Sequence, residues 1–457
     1  MMKRVLTFVV LSGLISLMVF TSSCTQVESG RSPLADSVKA EFLHAWHGYK
    51  QFAWGFDYLK PLSRQGANWY DSSFVMTPVD AFDTMILMGL NAEAQEAKKL
   101  IFKKLSFDRD IAVQAFEFNI RLLGGLLSAY QLDKDPRFLQ LAKNLARRFL
   151  PAFASPTGMP YRFVNLKTGE TSGDVSNPAE IGTYIVEFGM LTHLTGDSVY
   201  YKTAQKAVSA LYQRRSSIGL VGSTINVNTG AWLDKSSHIS GMIDSYYEYL
   251  LKGFILFNDP GFGEMWKHSV NAVNSYLADE YRGNLWYGRV DMETGKLQKP
   301  WFGALDAFFP AVLALDGQMD RARALLNSCF KMWKLQGIEP ELIDYRKMAI
   351  LSPNYPLRPE IIESTYYMYY FTGNDRYRKM GSIYFKALKK YCRTSDGYTA
   401  LKSVLSKEKD DKMDSYFLAE TLKYLYLLFA EHETINLSKT VFNTEAHPMF
   451  MDNYLGK

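Results

Sequence analysis

From residue 38 to residue 434 the apolar positions recur at helical spacing, and no low-complexity tract or strong linker interrupts them, which predicts one continuous helical domain. The helices are of two kinds. One is amphipathic: Phe138, Leu141, Leu145 and Phe149 share a face opposite Lys143, Arg147 and Arg148. Tyr377, Met380, Tyr384, Leu388 and Tyr391 repeat the pattern among Arg378, Lys379 and Lys390. A single apolar stripe packs on one side and leaves the rest to water. The other kind is apolar nearly all round, as in FEFNIRLLGGLLSAY (116–130) and DSYYEYLLKGFILF (244–257), and implies burial on every side.

Segments of the second kind begin near Asp80, Glu117, Glu180, Asp244, Asp306, Glu360 and Asp414. An amphipathic segment precedes each, near residues 39–54, 92–105, 137–150, 199–214, 263–279, 320–336 and 376–391. Seven pairs at about 57 residues per pair predict an all-α fold, an (α/α)7 barrel with inner helices ringed by outer ones. Inner-to-outer connections are short and carry turn residues: Gly196-Asp197, Asn258-Asp259-Pro260, Asp316-Gly317 and Gly373-Asn374-Asp375. The reverse connections (151–177, 215–240, 281–302 and 393–413) are long and must gather where the inner helices begin. Long loops in compact domains are commonly functional. That end, where the acids also lie, is the predicted site.

Composition narrows the picture. In 457 residues, Lys and Arg total 52 against 47 Asp and Glu, a net charge of +5 that gives no case for nucleic acid. The 47% hydrophobic fraction excludes disordered, collagen-like and disulfide-rich classes. Aromatics at 14% suggest stacking surfaces for ring-shaped ligands such as sugars as well as core packing.

Met1 to Ser23 has the layout of an export leader: Lys3 and Arg4, an apolar run from Val5 to Phe20, then Thr21, Ser22 and Ser23. Because Cys24 follows directly, the leader resembles a bacterial lipoprotein signal, with Cys24 lipidated, residues 24–37 as a tether and 38–457 as a single catalytic domain. The plain alternative is a secretory leader with an incidental cysteine. The expected location is the bacterial envelope, periplasm or cell surface, with membrane contact through the lipid anchor only. Cys329 and Cys392 fall in amphipathic segments and read as core thiols. His44 and His47 alone do not make a metal site.

Singly, Asp or Glu in a first helical turn is explained by capping and the helix dipole, and Asp80, Asp306 and Asp414 read that way. Collectively, acids converging on one cavity must hold protons, bind a cation or be separated by ligand. Without accompanying His or Cys, they favour an oxygen-ligated ion, Ca²⁺ before Zn²⁺. There is no GxSxG elbow, Walker A loop or dinucleotide-binding glycine fingerprint, which leaves paired carboxylates of the kind that hydrolyse glycosides.

The motifs TPVDAFDTMILMGL (77–90), FEFNIRLLGGLLSAY (116–130), AEIGTYIVEFGMLTHLTGD (179–197), DSYYEYLLKG (244–253), YPLRPEIIESTYYMYYFTGN (355–374), MDSYFLAETLKYLYLLF (413–429) and VFNTEAHP (441–448) occur in order along the chain. Through them it resembles the class I α-mannosidases of glycoside hydrolase family 47 over almost all of residues 38–450. With the leader, it reads as a bacterial member. The resemblance implies an (α/α)7 barrel, Ca²⁺ dependence and inverting hydrolysis of terminal α-1,2-linked mannose. It implies Glu117 as proton donor, with Asp244 as competitor, and Glu360 as the base that activates water. Thr444 resembles the direct Ca²⁺ ligand, with Glu363, Glu420 and Glu445 in the ion's outer shell. Arg121 resembles a substrate-orienting arginine, and Asp83, Glu180, Glu248, Glu341 and Arg358 match further pocket positions.

Two departures stand out. Tyr416 replaces the first phenylalanine of the family's SFFLAE or SFFLGE run, and LDAFFP (305–310) lacks a nearby histidine that processing members often carry, reading more like the family's glycoprotein-degradation branch. The expected activity is an exo-α-1,2-mannosidase acting, as a monomer, on a mannose-containing glycan, either N-glycan or mannan. The rivals are a non-catalytic Ca²⁺-dependent mannose-binding protein and the same mechanism on another α-mannosidic linkage.

Overall fold

The structure, a computed structural model, describes residues 32–450, so the expected leader, Cys24 and most of the tether lie outside the described residues. All seven helix pairs are present. The outer helices are Pro33–Phe52, Asn91–Lys104, Pro136–Phe149, Val199–Tyr212, Pro260–Tyr276, Met319–Lys334 and Asp375–Tyr391. The first begins inside the stretch read as tether. Pro33 sets its first turn and Asp36 favours its N-terminus, while Ala35, Val38 and Phe42 are buried.

The inner helices are less regular than their periodicity suggests. The first is split into Met76–Asp80 and Phe82–Leu87, so Asp80 closes a short segment instead of opening a helix. The second runs through Ala115–Glu117, Phe118–Leu123 and Gly124–Asp133, its middle part widened to π geometry. The third comprises Pro178–Gly182 and Ile185–Thr195, and the fourth Asp244–Phe257. The fifth joins Leu305–Phe308 to Phe309–Leu315, and the sixth is Glu360–Thr372. The seventh, Phe417–Thr421 and Leu422–Phe429, opens with a second π turn. Each inner helix packs against the next, and the seventh touches the first, closing an (α/α)7 barrel. The first outer helix packs on the seventh inner one.

The short connections turn as their residues predict. Gly196, Asn258, Gly317 and Gly373 all adopt left-handed backbone, and Asp135, Asp259 and Asn374 cap the outer helices that follow by accepting from Arg137 N, Gly261 N and Arg376 N. The long connections are not plain loops. Ala112–Gln114 pairs with Phe163–Asn165, Val175–Ser176 with Thr224–Asn226, Ser236–Ser237 with Arg289–Asp291, and Trp301–Gly303 with Leu342–Asp344, all antiparallel. Bridges Tyr355–Leu401 and Leu59–Met413 carry the linkage onward. Each long connection is thereby tied to a neighbour, forming a collar around the mouth of the barrel.

After the last helix, Thr440–Phe442 and Pro448–Phe450 form a hairpin whose turn, residues 443–447, is buried against the inner ring. Asn443 Nδ2 donates to the carbonyl of Ile120, within the π turn, at 2.8 Å, and to Glu187 Oε1 at 2.9 Å. Lys423 Nζ donates to the carbonyl of Ala446, a left-handed residue, at 2.6 Å. The hairpin fits because Gly124 and Gly125 present no side chain to it. A Cβ at Gly124 would lie 2.5 Å from Asn443 Nδ2 and 3.1 Å from the His447 ring. Gly124→Ala is expected to cost about 1–3 kcal/mol by overpacking, measured by urea unfolding. An unchanged midpoint would show that the hairpin is not seated there.

Candidate active site

A cavity of about 400 Å³ opens at the collar end of the barrel. Its walls come from inner-helix starts and its floor from the hairpin turn. The second inner helix contributes Glu117 and Arg121, the third Glu180, the fourth Asp244 and Glu248. The sixth contributes Glu360 and Glu363, with Arg358 just ahead, and the seventh Tyr416 and Glu420, while Thr444 and Glu445 come from the turn. Twelve of the residues singled out in the sequence therefore share one cavity.

Arg121 is the cation at its centre. Its Nε donates to Glu117 Oε2 at 2.9 Å, its Nη1 to Glu445, and its guanidinium lies 5.2 Å from the Trp69 ring centroid and 5.6 Å from that of Tyr416. The phenolic oxygen that distinguishes Tyr416 from phenylalanine donates to the carbonyl of Pro356 at 2.5 Å, which leaves the ring beside Arg121. Arg358 grips Glu341 with two nitrogens, at 2.6 and 3.2 Å, and its Nη1 stands 3.9 Å from Glu360 Oε1. Arg162 and Gln114 tie Glu180 to the wall at 3.0 and 2.7 Å. Glu248 pairs with Lys252, one helical turn on.

Eight carboxylates line this cavity against three arginines, and burial drives several toward the protonated form. Burial pushes Asp244 up to about 6, reinforced by Glu248, and Glu360 up to about 7 against the pull of Arg358. Glu360 Oε2 has no hydrogen-bond partner among the described residues. Glu363 is pushed up to about 8 by burial, and Glu445 likewise, while burial and the adjacent Glu445 hold Glu420 well above the usual carboxylate range.

Two acids matched to pocket positions lie elsewhere. Asp83 is beneath the floor, where its oxygens take Lys423 Nζ at 2.7 Å and His447 Nδ1 at 2.6 Å, and it does not line the cavity. Glu341 lines a neighbouring cavity and acts on this one through Arg358. Asp80, Asp306 and Asp414 do not line it either. Asp80 accepts from Ser415 and His447, Asp306 from Gly303 N at 2.6 Å, and Asp414 pairs with Lys412 at 3.0 Å. His44 Nε2 meets the Thr394 carbonyl at 3.0 Å.

Sequence reading missed Gln114, Arg162, Leu305 and Phe308, which strand pairing or a short helical turn brings to the cavity; no local pattern marks them. Leu305 and Phe308 form an apolar wall where processing relatives were expected to carry a histidine nearby. Lys252 was findable from its spacing to Glu248. Glu339, fully buried with neither oxygen hydrogen-bonded among the described residues, was also missed.

Neither the hydroxyl nor the carbonyl of Thr444 is engaged in a hydrogen bond among the described residues, whereas its N–H donates to the Tyr249 hydroxyl at 3.2 Å. Surplus carboxylates surround it. The free oxygens of Thr444, with Glu445 beside them and Glu363 and Glu420 lining the same cavity, are the oxygen donors that a hard cation takes.

Residues 41–451 match glycosyl hydrolase family 47. The chain belongs to that family. It is 36% identical over 449 residues to the human ER degradation-enhancing alpha-mannosidase-like protein 2, covering 91% of this chain and 77% of that one. It is 35% identical over 437 residues to the Arabidopsis thaliana mannosyl-oligosaccharide 1,2-alpha-mannosidase MNS1, covering 90% and 78%. Among solved structures, the alpha-1,2-mannosidase from Trichoderma reesei matches with a TM-score of 0.86 at 28% identity, over 92% of this chain and 100% of that one. Membership of family 47 makes the protein a glycoside hydrolase.

Buried acids set a pH dependence for the metal-free protein. Burial raises Glu187 and Asp306 to about 7, and His447 rises to about 9 because Asp83 and Asp80 outweigh its burial. A group raised on folding contributes stability that is lost as pH climbs through its folded value. After EDTA treatment, the melting temperature is expected to fall between pH 6.5 and 8.5, less steeply in Glu187→Gln. A flat or rising profile by scanning calorimetry would contradict this.

Proposed function

We propose that the protein is an exo-acting, inverting α-mannosidase that removes terminal α-1,2-linked mannose from N-glycans or mannan with Ca²⁺ at the cavity floor. The observation that carries the reading is Glu360. It lies in the first turn of an inner helix, largely buried, with one oxygen unpartnered and a proton affinity near neutrality. Glu117 and Asp244 share its cavity. A carboxylate poised near neutral pH is suited to take a proton from water, and a second acid to give one to the departing glycosidic oxygen.

In this mechanism Glu360 accepts the proton as the water oxygen bonds to the anomeric carbon. The carbon–oxygen bond to the leaving sugar breaks, and that oxygen receives a proton from Glu117, directly or through water, with Asp244 as the competing donor. Arg121 holds the Glu117 carboxylate in place, while Arg358, braced by Glu341, offsets charge on Glu360. Ca²⁺, when bound, supplies positive charge that favours ionised acids and orients sugar hydroxyls. Thr444 would hold it, with Glu363, Glu420 and Glu445 linked through water.

The names of the human, Arabidopsis and Trichoderma relatives support mannose as the sugar. Glu117, Asp244 and Glu360 together favour catalysis over mannose binding alone. The leader sequence supports an exported bacterial protein anchored by lipid at Cys24, and in this reading the protein acts as a monomer. No helix among the described residues is long and apolar enough to cross a membrane.

Glu360→Gln is expected to lower turnover of α-1,2-mannobiose by about 10²–10⁴-fold, the range for losing a general base, while calorimetry still detects Ca²⁺-dependent sugar binding. Turnover equal to the parent would remove Glu360 from the mechanism and the reading with it.

A further inference from the structure

Glu187 lies in the first turn of the inner segment Ile185–Thr195, fully buried among residues that carry no other charge until His193. It does not line the cavity and takes no part in the proton transfers described above. A carboxyl group taken out of water is tolerated when hydrogen bonds replace its hydration. Glu187 has three donors. The Tyr249 hydroxyl reaches Oε1 at 2.7 Å, Asn443 Nδ2 reaches the same oxygen at 2.9 Å, and Asn119 Nδ2 reaches Oε2 at 3.0 Å. Asn119 is fixed in that orientation by a second bond from the same nitrogen to the Thr183 carbonyl at 2.9 Å.

Two of those donors lead to the hairpin turn. The Tyr249 hydroxyl directs its proton at Glu187, which leaves its lone pairs to the Thr444 N–H, and that group donates to it at 3.2 Å. Asn443 begins the turn itself. With its Nδ2 held by Glu187 and by the Ile120 carbonyl, its Oδ1 faces the other way and accepts from Glu445 N at 2.9 Å and from His447 N at 2.8 Å. One buried carboxyl group thus orders a tyrosine hydroxyl and an asparagine amide, and between them these take the N–H groups of Thr444, Glu445 and His447. The Thr444 hydroxyl and carbonyl form no hydrogen bond among the described residues, and Thr444 lines the cavity.

We infer that Glu187 is a positioning residue for the cation site: through Tyr249 and Asn443 it holds the turn 443–447 so that the two Thr444 oxygens are presented to the cavity as ligands. The inference rests on the proposed binding of Ca²⁺ at the cavity floor. Glu187 acts on geometry alone, because a hard cation takes its oxygens at about 2.3–2.6 Å and a turn that shifts no longer offers two of them together. Glutamine at 187 would set an amide nitrogen among groups that are all donors, so it could not hold Tyr249, Asn443 and Asn119 at once. Phenylalanine at 249 would remove only the hydroxyl that joins Glu187 to Thr444.

The test is Ca²⁺ binding to the intact, EDTA-stripped chain by titration calorimetry. Tyr249→Phe and Glu187→Gln are each expected to weaken Ca²⁺ affinity about 10–100-fold, the range for losing a partner of a metal ligand. Tyr201→Phe removes a hydroxyl that bonds Asp259 at 2.6 Å at the other end of the barrel, and is expected to leave the affinity within twofold of the parent. It separates positioning from general loosening of the fold. Parent-like affinity in Tyr249→Phe, or an equal loss in Tyr201→Phe, would overturn the inference. Deuterium exchange of the peptide spanning 443–447 in the metal-free protein reads the turn without an ion. Faster exchange in Tyr249→Phe than in the parent supports the inference, and equal exchange would overturn it. If the parent binds no Ca²⁺, the functional reading fails at its cation, and the exchange comparison still decides whether Glu187 holds the turn.

Discussion

The structure depends on a cluster of buried charge that seats the C-terminal hairpin against the inner ring. His447 lies between Asp80 and Asp83, at 3.1 and 2.6 Å, and Lys423 closes on Asp83 at 2.7 Å, with none of the four side chains exposed. Charges so buried are tolerable only when paired and hydrogen-bonded, and removing one would strand the others. The cluster therefore fixes where the turn 443–447 sits. Thr444 and Glu445 floor the cavity because of it, and Glu445 in turn positions Arg121 and hence Glu117. The family's NTEAHP segment and the acids of the first inner helix are one construction.

Above that floor the fold concentrates acids faster than it supplies cations. Seven inner helices start at one end, where the helix dipole favours carboxylates, and the collar shields their side chains from bulk water. Burial then lifts proton affinities unevenly: Asp244 to about 6, Glu360 to about 7, Glu363 and Glu445 to about 8. Groups poised near neutrality on the walls suit proton transfer. The more strongly raised groups near the floor are those a divalent cation would relieve.

Much of this was legible in the sequence. All-round apolar segments such as 244–257 could only be buried, and amphipathic ones such as 376–391 could only be peripheral, so the alternation of fourteen helices followed from periodicity. The left-handed turns at Gly196, Asn258, Gly317 and Gly373 followed from residue type. The breaks did not. Nothing local marks the split at Ala81 or the π turns at 118–123 and 417–421, because the hairpin and neighbouring helices supply partners for carbonyls there, as Asn443 does for Ile120 and Thr84 for Ala419. The collar was read as loop since its strands are two to four residues long and pair across distant connections. That pairing creates the neighbouring cavity that Glu341 lines. Asp83 and Glu341 show the limit of motif matching: both sit beside the site, yet one braces the floor and the other braces Arg358.

The central claim is that carboxylates lining one cavity hydrolyse an α-mannoside by direct displacement, with a cation completing the floor. Time-resolved proton NMR of α-1,2-mannobiose mixed with the protein tests it most directly, run with Ca²⁺ and again after EDTA. The account predicts that β-mannose appears first, then mutarotates, and that EDTA abolishes its release. Initial release of α-mannose, or release unaffected by EDTA, would contradict it.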